Sequence, residues 1–107
     1  MSDPDATAQE LQALAQELQM VRSQVQAISS QISEISMTLE SLDSQNPSRP
    51  VYRAVGNLLL EVDDRDALRA ELEDSRTAFV EHSSILEERE SNLVSQYEEL
   101  VKSFESR

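Results

Sequence analysis

Ten apolar residues in the first half of the chain, Leu11, Leu14, Leu18, Val21, Val25, Ile28, Ile32, Ile35, Leu39 and Leu42, step by three and four positions without a break. Sustained over five heptads, that spacing predicts one long helix whose apolar side chains form a narrow stripe, and such a stripe is buried against another helix rather than in a globular core. The Gln, Ser and Glu residues between them face water. Asp3-Pro4 offers an N-cap followed by a proline suited to the first helical position, and Thr7 with Glu10 has capping-box spacing, so the helix should start near one of them. It should stop near Asp43, since Asn46 accepts a left-handed conformation and Pro47 cannot continue a helix. Residues 1–43 thus read as the first arm, roughly 58 Å long at ~1.5 Å per residue.

Residues 44–50, Ser-Gln-Asn-Pro-Ser-Arg-Pro, read as a linker stiffened by two prolines. After it, two β-prone runs, Val51 to Val55 and Leu58 to Val62, flank Gly56-Asn57, a dipeptide that tolerates positive φ. This predicts a two-residue β-hairpin over residues 51–62. In that register Val55 faces Leu58, Arg53 faces Leu60 and Val51 faces Val62 on one side; Ala54 faces Leu59 and Tyr52 faces Glu61 on the other. Both faces are apolar and both edges unpaired, which predicts oligomerisation through the hairpin by sheet extension or barrel closure.

Asp63 or Asp64 should cap a second helix over residues 63–107, roughly 66 Å long at ~1.5 Å per residue. Its row Leu68, Leu72, Phe79, Leu86, Leu93 and Leu100 is mostly heptad-spaced, with polar companions expected at Ser75, His82, Arg89 and Gln96. Two arms of similar length joined by a short reversal fold back most simply as an antiparallel pair, with Leu42 near Leu68 and Leu11 near Leu100. The fold class is therefore mainly α: a long antiparallel coiled-coil hairpin of two helices with a β-hairpin inserted at the bend. An aromatic content of 4% and a single Gly argue for an elongated shape over a compact one.

Charge narrows the partners. Twenty-one acidic against nine basic residues, a net charge of −12, repel nucleic-acid phosphates and anionic membrane surfaces, so neither is expected as a partner. Eight of the nine cations are Arg and only Lys102 is Lys, a balance that suggests a protein solvated for a very salty cytoplasm. Cysteine is missing, which excludes disulfides, thiolate chemistry and Cys-based zinc sites. Met1 is followed by Ser2-Asp3-Pro4-Asp5 with no signal-peptide pattern, and the longest run of large apolar residues is Leu58-Leu59-Leu60, so a soluble cytoplasmic chain is expected.

Chemistry is scarce. His82, the only histidine, falls at a predicted seam position, where it would be a pH switch or an imidazole hydrogen-bonded to the opposite arm. Asp63, Asp64 and Asp66 lack the ligand alternation, loop Gly and closing Glu of a calcium loop and read better as a helix cap. With no phosphate-cradling glycines and no nucleophile beside a base, no enzyme, cofactor or metal is expected. Val80, Ile85, Val94, Tyr97, Val101 and Phe104 leave the predicted seam. Either the period drifts so that Leu93, Tyr97, Leu100 and Phe104 form a local seam, or the arm ends in an exposed apolar tip that grips segments of another chain.

The order of long heptad arm, proline-bearing linker, the stretch from Val51-Tyr52 through Gly56-Asn57-Leu58-Leu59 to Val62, and second long arm resembles the beta-class subunit of archaeal prefoldin over nearly the whole chain. The hairpin residues are the telling part, and a single hairpin matches the beta class. The resemblance implies a hexamer with two alpha-class and four beta-class subunits, whose hairpins form a double β-barrel body carrying coiled-coil tentacles. It implies an ATP-independent holdase that captures unfolded polypeptides at the tips and passes them to a group II chaperonin. The assembly site would comprise Val51, Tyr52, Val55, Gly56, Asn57, Leu58, Leu59, Leu60 and Val62. Client grips would be Leu11, Leu14, Tyr97, Leu100, Val101 and Phe104, with Lys102 and Arg107 for chaperonin docking. The acidic residues Glu98, Glu99 and Glu105 around those two cations depart from many relatives. The rival reading is a structural coiled-coil spacer that binds one folded partner, which would have no need of a hairpin apolar on both faces.

The charge excess carries a salt dependence. Lowering salt from molar to below ~0.1 M, where the Debye length exceeds ~10 Å, should lower the melting temperature of the helices through carboxylate repulsion. A salt-independent Tm in circular dichroism would refute this.

Overall fold

The computed structural model describes residues 4–106, with side chains from Thr7 onward. Helix α1 spans Pro4–Ser44, strands β1 and β2 span Tyr52–Val55 and Leu58–Glu61, and helix α2 spans Arg65–Glu105. Pro4 opens α1, where a fixed φ and a missing N–H cost nothing. The Asp3 cap expected from the sequence lies outside the described residues. Thr7, read as one possible start, instead lies inside α1 with 2% of its surface exposed, so it extends the buried stripe one step before Leu11.

All ten seam positions of α1 are buried or half-buried. The chain divides into two units, one made of residues up to Ser29 with those from Glu81 onward, the other of Ser30–Val80. In the first, Val21, Ile28, Leu86 and Leu93 are the buried apolar side chains. Arg22 Nε lies 3.7 Å from Glu90, and Arg89 donates to Glu17. In the second, Leu39 is 3% exposed, and the pairs Ser36 with Arg76 (3.3 Å) and Asp43 with Arg69 (2.7 Å) run in antiparallel order. Leu42 and Leu68 line one groove there, as the fold-back requires.

The companion row of α2 differs from expectation. Ser75 is half-buried as expected, whereas His82, Arg89 and Gln96 are exposed; the other half-buried companions are Arg76, Ser83, Glu90 and Tyr97, each four residues after Leu72, Phe79, Leu86 and Leu93. Positions three and four residues on both lie close to the face of the leading residue, and with polar residues in both rows the choice falls to the opposing helix. His82 is thus neither a seam residue nor bonded across it. The same four-three alternation carries on through Leu93, Tyr97 and Leu100, so no change of period is needed there.

Asn46 departs from the expected left-handed cap, since no residue other than Gly56 has positive φ among the described ones. Its side-chain carbonyl accepts from Ser48 N at 3.0 Å and Ser48 Oγ at 2.9 Å, and its main-chain carbonyl accepts from Arg49 N at 3.0 Å. An Asx turn, not a glycine-like cap, ends the arm. At the other side of the bend Asp64 Oδ1 accepts from Ala67 N at 3.0 Å, which settles the cap of α2 on Asp64.

Arg69 clamps Asp43 with two parallel bonds, Nε to Oδ1 at 2.7 Å and Nη2 to Oδ2 at 2.8 Å, and also donates to Glu73. Its bond to Asp43 holds that carboxyl below the usual carboxylate range, while Asp43 and Glu73 raise the guanidinium further. A depressed carboxyl stabilises the fold above its unfolded-state pKa and loses that contribution as pH falls through its folded value. Acidification from neutrality to well below the ordinary aspartate pKa of 3.8 should therefore close the gap in Tm between the native chain and Asp43→Asn. A gap unchanged by acid, measured by circular dichroism, would show that the clamp contributes nothing.

Candidate functional site

The chain's own fold half-buries Val51 and Val62 at the base of the hairpin and leaves its two strands open. Every residue of β1 and β2 is exposed, including Tyr52 (56%), Leu58 (63%) and Leu59 (72%). The strands pair antiparallel as Tyr52 with Glu61, Arg53 with Leu60, Ala54 with Leu59 and Val55 with Leu58, the register expected from the turn dipeptide. Val62 N donates to Val51 O at 2.8 Å and closes the ladder's open end. Gly56 has φ +59 and Asn57 does not share it, so the turn has the form with positive φ only at its first central residue.

The hairpin is fixed to its base by arginines. Arg65, the first residue of α2, donates to Asn46 O at 3.2 Å and to Arg49 O, tying the linker down. Arg53 Nη1 lies 3.6 Å from Glu71, and the Asp43–Arg69 clamp sits at the start of α2. A groove with Leu42, Leu68 and Leu72 in its walls runs beneath Val51, Tyr52 and Ala54. Sequence reasoning missed the roles of Arg65 and Arg69. Their signal was position: a cation in the first turns of a helix opposes the helix dipole and needs a separate reason to be there.

The candidate tip residues are placed differently. Leu11, Leu14, Tyr97, Leu100 and Val101 are half-buried, and Phe104 is 42% exposed. Val94, read as leaving the seam, is also half-buried, whereas Val80 and Ile85 are exposed. Tyr97 shares a polar-rimmed groove with Leu18 and Arg22. Lys102 is exposed, and Arg107 lies outside the described residues. Met20 and Met37, at 62% and 65% exposure, are further apolar side chains on the surface of α1 that the periodicity did not single out. Among the described residues no three His, Cys, Asp or Glu side chains are grouped to hold a metal, and no helix is long and apolar enough to cross a membrane.

The family model described as "Prefoldin subunit" matches residues 6–107. Prefoldin subunit beta of Thermoplasma volcanium is 31% identical over 70 residues, which cover 65% of this chain. The match spans 56% of that protein's length. The crystal structure of the prefoldin beta subunit from Thermococcus strain KS-1 superposes with a TM-score of 0.86 at 26% identity, covering 96% of this chain and 90% of that one. The beta2 subunit of the same strain gives 0.75 at 25% identity, over 86% of this chain and 97% of that one.

A Cβ placed on Gly56 meets nothing within 4 Å, so a substitution there is penalised only by its backbone conformation. Gly56→Val should loosen the hairpin by about 1–2 kcal/mol, read as a roughly 5- to 30-fold loss of hydrogen-exchange protection at the Val62 amide with helix content unchanged. Undiminished protection would show that the turn does not set the register.

Proposed function

The chain belongs to the prefoldin subunit family, and from that premise we propose that it is a beta-class subunit of an ATP-independent holdase. It assembles through Val51 to Val62 with alpha-class subunits, two alpha to four beta, and works in the cytoplasm. The observation that carries this reading is the hairpin at the bend, apolar on both faces and exposed along every strand residue. A spacer between folded partners has no use for such a feature, whereas a barrel-forming subunit requires it.

Client capture falls to Leu11, Leu14, Tyr97, Leu100, Val101 and Phe104. Of these Phe104 is the most open, and the rest present half of an apolar seam. A site this small holds an unfolded segment weakly, and several subunits joined through their hairpins raise avidity by effective concentration. Weak, plural contacts also let a client leave stepwise, toward a group II chaperonin, which Lys102 and Arg107 would help to dock. No bond is made or broken in this work.

Mixing with an alpha-class subunit should yield a hexamer by mass measurement that suppresses aggregation of a denatured protein without ATP. Truncation of residues 101–107 should weaken that protection and leave the hexamer intact. A hexamer that protects no client would support the spacer, and loss of assembly on truncation would make the tip structural.

A further inference from the structure

The two sides of α2 differ over its last turns. At ~100° per residue, Val94, Tyr97 and Val101 fall on one side of the line through Leu93 and Leu100, and Arg89, Gln96 and Ser103 fall on the other. Contacts fix which part of α1 each side meets. Arg89 donates to Glu17, whereas Tyr97 opens onto a groove with Ala15, Leu18 and Arg22. All of these lie in the unit formed by residues up to Ser29 with those from Glu81 onward. On the Tyr97 side the apolar face is wider than the seam requires: Val94, Tyr97 and Val101 are half-buried and Phe104 is 42% exposed. On the other side Arg89, Gln96 and Ser103 are polar and exposed.

Carboxylates edge the wider face. Glu98 follows Val94 by four residues, Glu105 follows Val101 by four, and Glu87 precedes Val94 by seven, so the three align along the outer margin of the apolar strip. All three are exposed, and none forms an ion pair among the described residues. Lys102 is the one described cation past Arg89 and lies a further step round the helix, outside that margin. An apolar strip bordered by unpaired carboxylates sets up a negative potential beside a surface that can hold hydrocarbon.

We propose that this flank binds unfolded segments in which aliphatic or aromatic residues are interspersed with Lys or Arg, and discriminates against acidic segments. This rests on the reading of the arm's end as the client grip and adds the chemistry of the client and the side on which it lies. The apolar side chains of the segment cover Val94, Val101 and Phe104. Its Lys and Arg stems lie along the strip while their charged ends reach Glu87, Glu98 and Glu105. An acidic segment of the same apolar content meets like charge at the margin, which weakens its hold with no loss of apolar contact. The opposite side offers neither effect past Arg89, because that guanidinium is already bonded to Glu17 and Gln96 and Ser103 are uncharged.

Two unfolded peptides of equal length and equal Leu and Phe content, spaced by Gly and Ser, test this, one with Lys at its remaining positions and the other with Glu. With the full-length chain assembled with alpha-class subunits, the Lys peptide should bind roughly tenfold tighter than the Glu peptide by fluorescence anisotropy at ~0.1 M salt. At ~1 M salt, where the Debye length is about 3 Å, the ratio should fall below about twofold. Glu87→Gln, Glu98→Gln and Glu105→Gln combined should lower the ratio in the same way. Removal of three charges at Glu81, Glu88 and Glu99, exposed on the far side of α2, should change it by less than about twofold. A ratio near one would mark a grip blind to charge, and equal loss in both triple variants would mark an effect of the net charge of −12; either overturns the proposal. Concentration-dependent self-association that Phe104→Ser abolishes would assign the flank to a second copy and overturn it as well. Protection of a denatured protein without the Lys preference would remove the client chemistry and leave the holdase reading standing, whereas no protection and no peptide binding would remove both.

Discussion

A helix whose apolar residues recur every three and four positions presents a stripe too narrow for a globular core and too long to leave wet. Everything else in this molecule follows from the need to lay that stripe against a second helix of the same chain. Val21, Ile28 and Leu39 on α1, with Leu86 and Leu93 on α2, are the side chains this pairing removes from water. Burial of a large aliphatic side chain contributes about 1.5–3 kcal/mol, so a handful of positions supplies most of the packing energy. The reversal at the bend is what makes the partner available at no cost in concentration.

The two helices contribute unequally. The stripe of α1 is aliphatic from Leu11 to Leu42, whereas α2 fills its second row with Arg76, Ser83 and Glu90 before Tyr97 appears. A half-wet seam gains less from apolar contact, and the ion pairs at Glu17–Arg89, Arg22–Glu90 and Asp43–Arg69 lie beside it. Exposed pairs of this kind contribute about 0–1 kcal/mol each. Their value is in selecting a register among near-equivalent ones, because a heptad slip that the aliphatic row tolerates would separate each carboxylate from its guanidinium. The bidentate Asp43–Arg69 clamp is the most directional of them and lies next to the bend, where register is set first along the chain.

The hairpin obeys the opposite logic. Its ladder is satisfied internally only on the inner side, its leucines are exposed, and the arginines at its base hold it in place without covering it. A sheet edge in that condition is a template for another strand. In a chain of the prefoldin subunit family this makes the strands the least covered part of the isolated fold, and the proposed function assigns them to assembly.

The sequence by itself determined the elements. Heptad spacing established both helices, Gly56-Asn57 set the strand register pair by pair, and Asp64 was among two candidates for the cap it provides. These features are local: period, turn chemistry and capping depend on residues within a few positions of one another. Tertiary structure decided what depends on residues far apart in the chain. It chose Ser83 over His82 for the seam, because both lie near the face led by Phe79 and the opposing helix arbitrates between two polar side chains. It turned Asn46 into an Asx turn and gave its carbonyl to Arg65, a partner nineteen residues away that no local pattern names. It also left Leu11, Leu14, Tyr97, Leu100 and Val101 half-buried and only Phe104 of the apolar tip residues open, since exposure is a property of the packed pair and not of either helix alone.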